Sequence, residues 1–299
     1  MLNKQITVGT CVQGKTFLDW VPALLDKGFE CFTCNFHMTF GDVKLDELAP
    51  KARALLDGTG IKLSALGYYC NALQYEEHAK LLHHTIDMAS AFGTTTVSTF
   101  AGALEGKSVD ESMPVFKKVF GDLAKHAEDA GVRLAIENCP MGGTWQKGTC
   151  NIGFCADAWD MMFNEVDSPA LGLEWEPAHQ MCQLIDPIAN LRKYVSKVVH
   201  VHGKDATIKW DYIRSSGIRH DEFVDSRFPG FGDTDWRKIS RSCRWRATKA
   251  ASASKAITIR CSTASGSIPA RSTPSTTSSS AAAAAMSRTP GTNNGGAPS

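Results

Sequence analysis

Three segments of the chain begin as apolar, strand-like runs and end in side chains that bind divalent metals. They are LAIENC (134–139), LGLEWEPAH (171–179) and VVHVHGKD (198–205). Because parallel strands deliver their last side chains to one rim of a sheet or barrel, we expect these acidic and imidazole groups to converge. The pattern predicts a metal site at the carboxyl ends of three parallel strands. A fourth segment of this kind is expected later in the chain and is missing from the sequence.

The first 239 residues alternate between strand-like runs and segments of helical period. The strand-like runs are ITVGT, FECFTCNF, KLSALGYY, TTVSTF, RLAIEN, LGLEW and KVVHVHG. Gly28, Gly60, Gly93 and Gly131 each lie between a helical segment and the next strand, where a left-handed cap is favoured. Seven repeats predict an α/β fold, a (β/α)8 TIM barrel whose last β/α unit is missing or aberrant. An open doubly wound sheet is the alternative, but no GxGxxG motif opens the first helix, which argues against a nucleotide cofactor.

Charge divides the chain near the end of the seventh repeat. The first 239 residues carry 24 basic and 31 acidic side chains, a net charge of −7, whereas residues 240–299 carry eight basic side chains and no acid. We predict a barrel domain at 1–239 and an aberrant, low-complexity, disordered tail at 240–299. The acidic body also argues against a nucleic-acid partner.

The tail has the features of a frameshift near Ile239. Back-translated and read one nucleotide out of register, residues 245–265 are compatible with LAGYKGSISIEGYHDPVFNGE. That text contains a strand ending in a carboxylate where the barrel lacks one, and it places Lys255 in the position of the glutamate. We therefore expect a barrel left open between its first and seventh strands, poor stability and low activity. A genuine low-complexity tail is the alternative.

Composition is compatible with one large core in a soluble protein. The chain has 299 residues, 43% of them apolar, with no apolar run long enough to span a bilayer and no secretory pattern in its first ten residues. We predict a cytoplasmic location and no membrane partner. We therefore expect the ten cysteines to be free thiols. This includes Cys31 and Cys34, whose CxxC motif lies inside a strand-like run.

Four motifs together resemble the xylose-isomerase-like barrel superfamily of sugar phosphate isomerases and epimerases. They are IEN at the end of strand five, the W-acid-P-A-H motif at strand six, HVHGKD at strand seven and PGFGDTDW (229–236) before the last helix. The superfamily also includes inosose dehydratases and endonuclease-IV-like proteins. The resemblance covers the chain from about Gln5 to Ile239.

The resemblance implies a set of metal ligands. Glu137 takes the ligand position of strand five, and Glu176 takes that of strand six, where relatives usually have aspartate. His202 takes the position of strand seven, and His200, two residues earlier on the same face, is a substitute ligand or a supporting group. Glu174 shares the face of Glu176 and is an outer group at best. The metal implied is Mn²⁺, Zn²⁺, Mg²⁺ or Co²⁺. Ordinary packing or capping is the alternative for each residue.

The resemblance also implies catalytic and substrate-binding residues. Glu137 is a proton-transferring base, and His179 matches a catalytic histidine that contacts a substrate oxygen. Lys204, Arg227 and His200 are expected to hold an anionic or polyhydroxylated substrate. Glutamates ending strands five and eight exchange the proton through an enediolate in the epimerases, and here the second glutamate is missing.

The function implied is a divalent-metal-dependent isomerase or epimerase of a sugar or sugar phosphate, impaired by the loss of the strand-eight glutamate. Three alternatives stay open: an inosose-dehydratase-like lyase acting on a cyclitol, an endonuclease-IV-like enzyme, and an inactive binding protein or degenerate barrel. The expected partner is a small-molecule sugar, sugar phosphate or cyclitol. A homo-oligomer is compatible with all of these readings.

Overall fold

Parallel strands form the centre of the protein. The structure is a computed structural model that describes residues 6–219, 221–247 and 255–259. Its strands are β1 (Ile6–Gln13), β2 (Cys31–His37), β3 (Lys62–Tyr69), β4 (Thr96–Thr99), β5 (Arg133–Glu137), β6 (Leu171–Trp175), β7 (Val198–His202), β8 (Asp205–Ile208), β9 (Val224–Arg227) and β10 (Lys255–Ile259). Eight of them close into a barrel in the order β1-β10-β7-β6-β5-β4-β3-β2, and β8 pairs with β9 in a separate antiparallel hairpin. The predicted barrel fold is therefore confirmed.

Helices follow the strands, as in a β/α repeat. They are α1 (Phe17–Trp20), α2 (Leu45–Leu56), α3 (Glu76–Phe92), α4 (Val109–Asp129), α5 (Ala156–Glu165), α6 (Pro177–Met181), α7 (Pro187–Tyr194), α8 (Trp210–Ser216) and α9 (Trp236–Ala247). Among the described residues, no helix has both the length and the apolar character that crossing a membrane requires. The first helical segment is broken into short turns, since Pro22 has no N–H to continue a regular ladder.

Local sequence signals set the ends of the long helices. Ser108 caps α4 in a capping box, in which Glu111 N–H donates to Ser108 Oγ at 3.1 Å and Ser108 N–H donates to Glu111 Oε2 at 2.9 Å. Gly93 ends α3 in the left-handed conformation, with φ of 79°. The predicted role of Gly93 as a helix cap is thus confirmed.

The paired cysteines of CFTC lie in a strand, as predicted. Cys31 and Cys34 belong to β2, and both are buried free thiols. Burial raises the pKa of the Cys34 thiol far above its ordinary value, so it stays protonated. These residues act as small apolar side chains in the core.

The barrel is closed on the side where we expected a gap, and that expectation is wrong. β10 pairs with β1 from Ile6↔Lys255 to Thr10↔Ile259, and with β7 at Ile257↔Val201 and Thr258↔His202. The run KAITI contains β-branched residues that favour a strand, and it takes the eighth position.

The same register corrects the position of Lys255. It begins β10, whereas the frameshift interpretation places a glutamate there as the end of the eighth strand. The helix α9 also runs across the predicted domain boundary at Ile239. The rest of the predicted tail, 248–254 and 260–299, lies outside the described residues, and the frameshift stays a prediction.

Candidate metal centre

The ends of β5, β6 and β7 bring together the three predicted metal ligands. The Nδ1 atom of His202 lies 2.6 Å from Glu137 Oε1 and 3.4 Å from Glu176 Oε2. All three side chains are fully buried, and one ligand atom from each lies within 4.8 Å of the others. Two carboxylates and an imidazole form a donor set that suits Mn²⁺, Zn²⁺ or Co²⁺. The residues present therefore fit the implied divalent metal.

Two asparagines hold the backbone at these strand ends. Asn138 Nδ2 donates to the carbonyl of Glu176 at 2.9 Å, and its Oδ1 accepts from the Glu176 N–H at 2.7 Å. Asn151 Nδ2 donates to the carbonyls of Glu137 at 2.9 Å and Cys139 at 2.7 Å. Because the side-chain amides replace missing backbone partners, the two glutamates project from fixed positions. The asparagine of the IEN motif thus supports the site.

Glu174 holds the far side of the His202 ring. The Nε2 atom of His202 lies 3.2 Å from Glu174 Oε1, and Glu174 also accepts from Tyr69 Oη at 2.7 Å and from Ser98 Oγ at 2.6 Å. Because a carboxylate only accepts, the His202 Nε2 carries the proton in this contact and Nδ1 is directed at Glu137 and Glu176. A carboxylate behind the ring is the usual support of a metal-binding histidine.

Opposing charges perturb the pKa values in this cluster. Burial lowers the pKa of His202, but the negative charge of Glu174 and the contacts with Cys11 and Glu137 outweigh it and raise the pKa well above its ordinary value. Burial raises the pKa of Glu174, yet the charge of His202 and a hydrogen bond from His200 bring it below its ordinary value. Burial and the charge of Glu174 raise the pKa of Tyr69, which stays a protonated donor. Without a metal, His202 is therefore an imidazolium between carboxylates.

His179 and Lys204 lie on the Glu176 side of the cluster. The Nε2 atom of His179 is 3.0 Å from Glu176 Oε1, and Lys204 Nζ is 3.4 Å from the same oxygen. His179 is held in the short helix α6, directly after Glu176. With Glu137 and Cys139, His179 also forms a second group of potential metal ligands. The sequence reading did not assign Cys139, although it stands in the LAIENC segment.

His200 lies deeper in the barrel than the other predicted site residues. It precedes His202 by two positions in β7, its Nδ1 lies 2.8 Å from Glu174, and its Nε2 lies 3.3 Å from Ser64 Oγ. With Glu174 and His202 it makes a third group of potential ligands that shares only His202 with the first. The position favours a supporting role over substrate binding.

Arg227 is the predicted site residue whose described contacts lie away from the cluster. It sits at the end of β9, with its side chain 44% exposed. Its guanidinium donates to Asp225 at 3.0 Å and to Thr207 Oγ1 at 3.3 Å. The structure thus places Arg227 on the β8–β9 hairpin. Its described contacts are with Thr207 and Asp225, and none is with Glu137, Glu174 or Glu176.

Asp205 fixes the loop formed by PGFGDTDW. Its carboxylate accepts the N–H groups of Gly230 at 3.0 Å, Gly232 at 3.1 Å and Thr234 at 3.1 Å, and the Nε1–H of Trp236 at 2.8 Å. Burial raises the pKa of Asp205, but these hydrogen bonds outweigh it and lower the pKa. The aspartate of HVHGKD is therefore a structural anchor for the next motif.

Comparison with known proteins agrees with the fold. Residues 21–242 match the profile of the xylose isomerase-like TIM barrel family. Similar solved structures include a xylose isomerase domain protein from Planctomyces limnophilus, with 19% identity, a TM-score of 0.65 and coverage of 85% of this chain and 90% of that one. They also include the 3-keto-D-glucoside 4-epimerase YcjR from E. coli (15%, 0.61, 87% and 94%). A third is the IolI protein with a bound zinc atom (16%, 0.60, 85% and 88%).

No curated protein matches the sequence. The family profile nevertheless covers most of the chain, including β5, β6 and β7. The resemblance inferred from the four motifs is confirmed: this chain belongs to the xylose isomerase-like TIM barrel family.

Proposed function

We propose that the protein is a divalent-metal-dependent isomerase or epimerase that acts on a sugar, a sugar phosphate or a cyclitol. The observation that carries the proposal is the convergence of Glu137, Glu176 and His202 on one point, with Glu174 fixing the His202 ring from behind. The family is xylose isomerase-like, and the structural neighbours include several epimerases, which supports this class of enzyme.

Glu137, Glu176 and Nδ1 of His202 are the groups that would hold the metal. When bound, a divalent cation polarises a substrate carbonyl and acidifies the neighbouring C–H. His202 must first release its Nδ1 proton, while its Nε2 proton stays on the contact with Glu174. Cys139 belongs to a different group of potential ligands, with Glu137 and His179, and a metal in that group would gain a soft donor that favours Zn²⁺.

Proton transfer falls to the side chains around this point. Glu137 would accept the proton of the carbon beside the carbonyl and return it to the former carbonyl carbon, while the proton of the neighbouring hydroxyl passes to the former carbonyl oxygen. His179 and Lys204, both on the Glu176 side, donate hydrogen bonds to substrate hydroxyl or phosphate oxygens. Because the centre is buried, water competes little for these contacts.

Isomerisation and epimerisation differ in the number of acid/base groups that they require. Exchange of a carbonyl between adjacent carbons can use one base on one face of the substrate. Inversion at a carbon needs an acid/base group on each face. Glu137 provides the first, whereas the sequence has no carboxylate side chain after Asp235 to provide the second from the eighth strand. We infer that single-base isomerisation persists in this chain and that epimerisation is impaired.

Deuterium exchange tests the proposal without requiring the second base. Aldoses, ketoses, their phosphates and inososes are incubated in D₂O with Mn²⁺, Co²⁺, Mg²⁺ or Zn²⁺, and NMR follows exchange beside the carbonyl. We expect exchange on at least one substrate class that needs both the metal and Glu137, and that Glu137→Gln abolishes. His84→Gln, a surface variant, is the matched control. Exchange that is independent of metal, or unchanged by Glu137→Gln, would refute the function.

A further inference from the structure

A second histidine cluster lies on the outside of the barrel, between α3 and α4. The Nδ1 atoms of His83 and His126 are 2.7 Å apart and the ring centroids are 4.9 Å apart, so the two rings meet edge to edge, with an interplanar angle of 27°. Each histidine also reaches the aspartate of the other helix. His83 Nε2 lies 3.1 Å from Asp122 Oδ2, and His126 Nε2 lies 2.8 Å from Asp87 Oδ1. The four side chains form one chain of contacts, aspartate–histidine–histidine–aspartate.

Helical spacing produces this arrangement. His83 and Asp87 are four residues apart on α3, and Asp122 and His126 are four residues apart on α4. Residues four apart occupy one face of a helix, so each helix presents one imidazole and one carboxylate to the other. In the sequence alone the residues read as ordinary surface side chains, because their partners lie about 40 positions away.

The hydrogen bonds of the cluster leave no proton between the two Nδ1 atoms when both histidines are neutral. A carboxylate only accepts, so both Nε2 atoms carry protons in their contacts with Asp87 and Asp122. In neutral histidines both Nδ1 atoms are then lone pairs, and at 2.7 Å two lone pairs repel. Either one extra proton or a metal ion between the nitrogens removes the repulsion. With the two aspartates the cluster carries two negative charges, which a divalent ion neutralises.

We propose that His83 and His126 bind a divalent transition metal, of the Zn²⁺, Cu²⁺ or Ni²⁺ class, through their Nδ1 atoms. The outer carboxylates match the usual support of a metal-binding histidine, in which the second ring nitrogen donates to an acid. Two nitrogens bound tetrahedrally to zinc at about 2.0–2.1 Å lie about 3.3 Å apart, so the pair must widen by about 0.6 Å. Both rings are partly exposed at 30% and 29%, which leaves room for that rotation and for water as the remaining ligands.

The site is separate from the strand-end centre. It lies on two helices, α3 and α4, and does not include Glu137, Glu176 or His202. A metal here links α3 to α4 on the surface and takes no part in the proposed proton transfer. Failure of the helix site therefore leaves the proposed function untouched, and the reverse also holds.

Metal titration of matched variants tests the proposal. Zn²⁺ alone is titrated calorimetrically into the full chain, its His83→Gln and His126→Gln variants, and His84→Gln. The neighbouring His84 lies 3.7 Å from Asp46 and is outside the cluster, so it is the matched control. We expect each cluster variant to lose one bound equivalent of zinc while metal-dependent deuterium exchange stays at the parent level. Asp87→Asn and Asp122→Asn should weaken the affinity for that zinc ion by about 10–100-fold.

Electron paramagnetic resonance with Cu²⁺ supplies a second readout. We expect coupling to two imidazole nitrogens from this site in the parent protein and in His84→Gln, and the loss of that two-nitrogen signal in His83→Gln and His126→Gln. If the number of zinc equivalents is the same in the parent and both variants, or if His84→Gln loses the same equivalent, the pair shares only a proton and the metal site does not exist.

Discussion

The two sides of the barrel differ sharply in the chemistry that their strands supply. On one side, Glu137 ends β5, Glu176 directly follows β6 and His202 ends β7, and one ligand atom from each lies within 4.8 Å of the others. On the other side, β10 pairs β1 with β7, but the chain from Trp236 onward contains no acidic residue. Among the described residues, the potential metal ligands are therefore concentrated on one side.

The difference separates two requirements that one active site usually meets together. Metal binding needs donors that converge on a point, and three neighbouring strands suffice for that. Inversion at a carbon needs groups on opposite faces of the substrate, and these must come from opposite sides of the barrel. In the proposed function, the chain meets the first requirement and lacks a carboxylate on the eighth strand for the second.

The largest expected effect comes from removing the base on the acidic side. Glu137→Gln keeps the shape of the side chain but cannot accept a proton, and it weakens the metal site. We expect metal-dependent deuterium exchange to fall by about 10³-fold or more, within the range of acid–base and ligand losses. The exchange rate under saturating metal measures it, with His84→Gln as the control. Retention of activity within tenfold would show that another base acts.

Placing a carboxylate at the end of the eighth strand should raise the rate of epimerisation. Replacing residues 245–265 with LAGYKGSISIEGYHDPVFNGE would supply the strand and glutamate that the frameshift hypothesis predicts. We expect epimerisation to rise by about 10²–10⁴-fold, while single-base exchange changes much less. The same replacement carrying glutamine in place of its SISIEG glutamate is the control. Equal epimerisation by both versions would show that the second base comes from elsewhere.

Removing the carboxylate that holds the His202 ring should have an intermediate effect, on the affinity for metal. Glu174→Gln removes the charge behind the ring while preserving the volume of the side chain. We expect Mn²⁺ affinity to fall by about 10–100-fold, as is typical when the outer partner of a metal-binding histidine is lost. Ser98→Ala removes one donor to Glu174 and should change the affinity far less. Calorimetric titration distinguishes the two, and equal losses would indicate a general packing defect.

The affinity for metal should depend on pH in a defined direction. The pKa of His202 is raised in the metal-free protein, so a proton occupies Nδ1 near neutral pH and the metal must displace it. Affinity then tightens by about tenfold for each unit of pH, up to that raised pKa, and levels off above it. The same proton stabilises the metal-free fold at low pH, and this contribution disappears as pH rises through the raised pKa. Titrations in buffers of different ionisation enthalpy count the protons released, and no release between pH 6 and 8 would contradict this assignment.

The smallest expected effect concerns the hairpin at the edge of the site. Arg227 is half-exposed and paired with Asp225, and exposed ion pairs contribute about 0–1 kcal/mol. We expect Arg227→Gln to leave stability unchanged and to raise KM by about 2–5-fold with little change in kcat. Steady-state kinetics checks this, and a loss of kcat beyond tenfold would place the guanidinium against the reacting groups.

Much of the fold and part of the site followed from local sequence patterns. The seven strands, the capping glycine of α3 and the convergence of Glu137, Glu176 and His202 depend on periodicity and on strand ends, which a sequence displays directly. The resemblance to known sugar isomerases added the expected roles of these residues.

Other features depend on contacts between distant residues. Tyr69 and Ser98 reach Glu174 from other strands, and nothing in KLSALGYY or TTVSTF signals that they do so. The closed barrel was missed because KAITI lies in a low-complexity context that hid its strand propensity.

The most direct test of the central claim is anomalous diffraction from a crystal soaked in Mn²⁺ or Zn²⁺. The account predicts a peak at about 2.0–2.5 Å from a carboxylate oxygen of Glu137, one of Glu176 and the Nδ1 atom of His202. A peak held by the deeper group of Glu174, His200 and His202, or no peak inside the barrel at saturating metal, would contradict it.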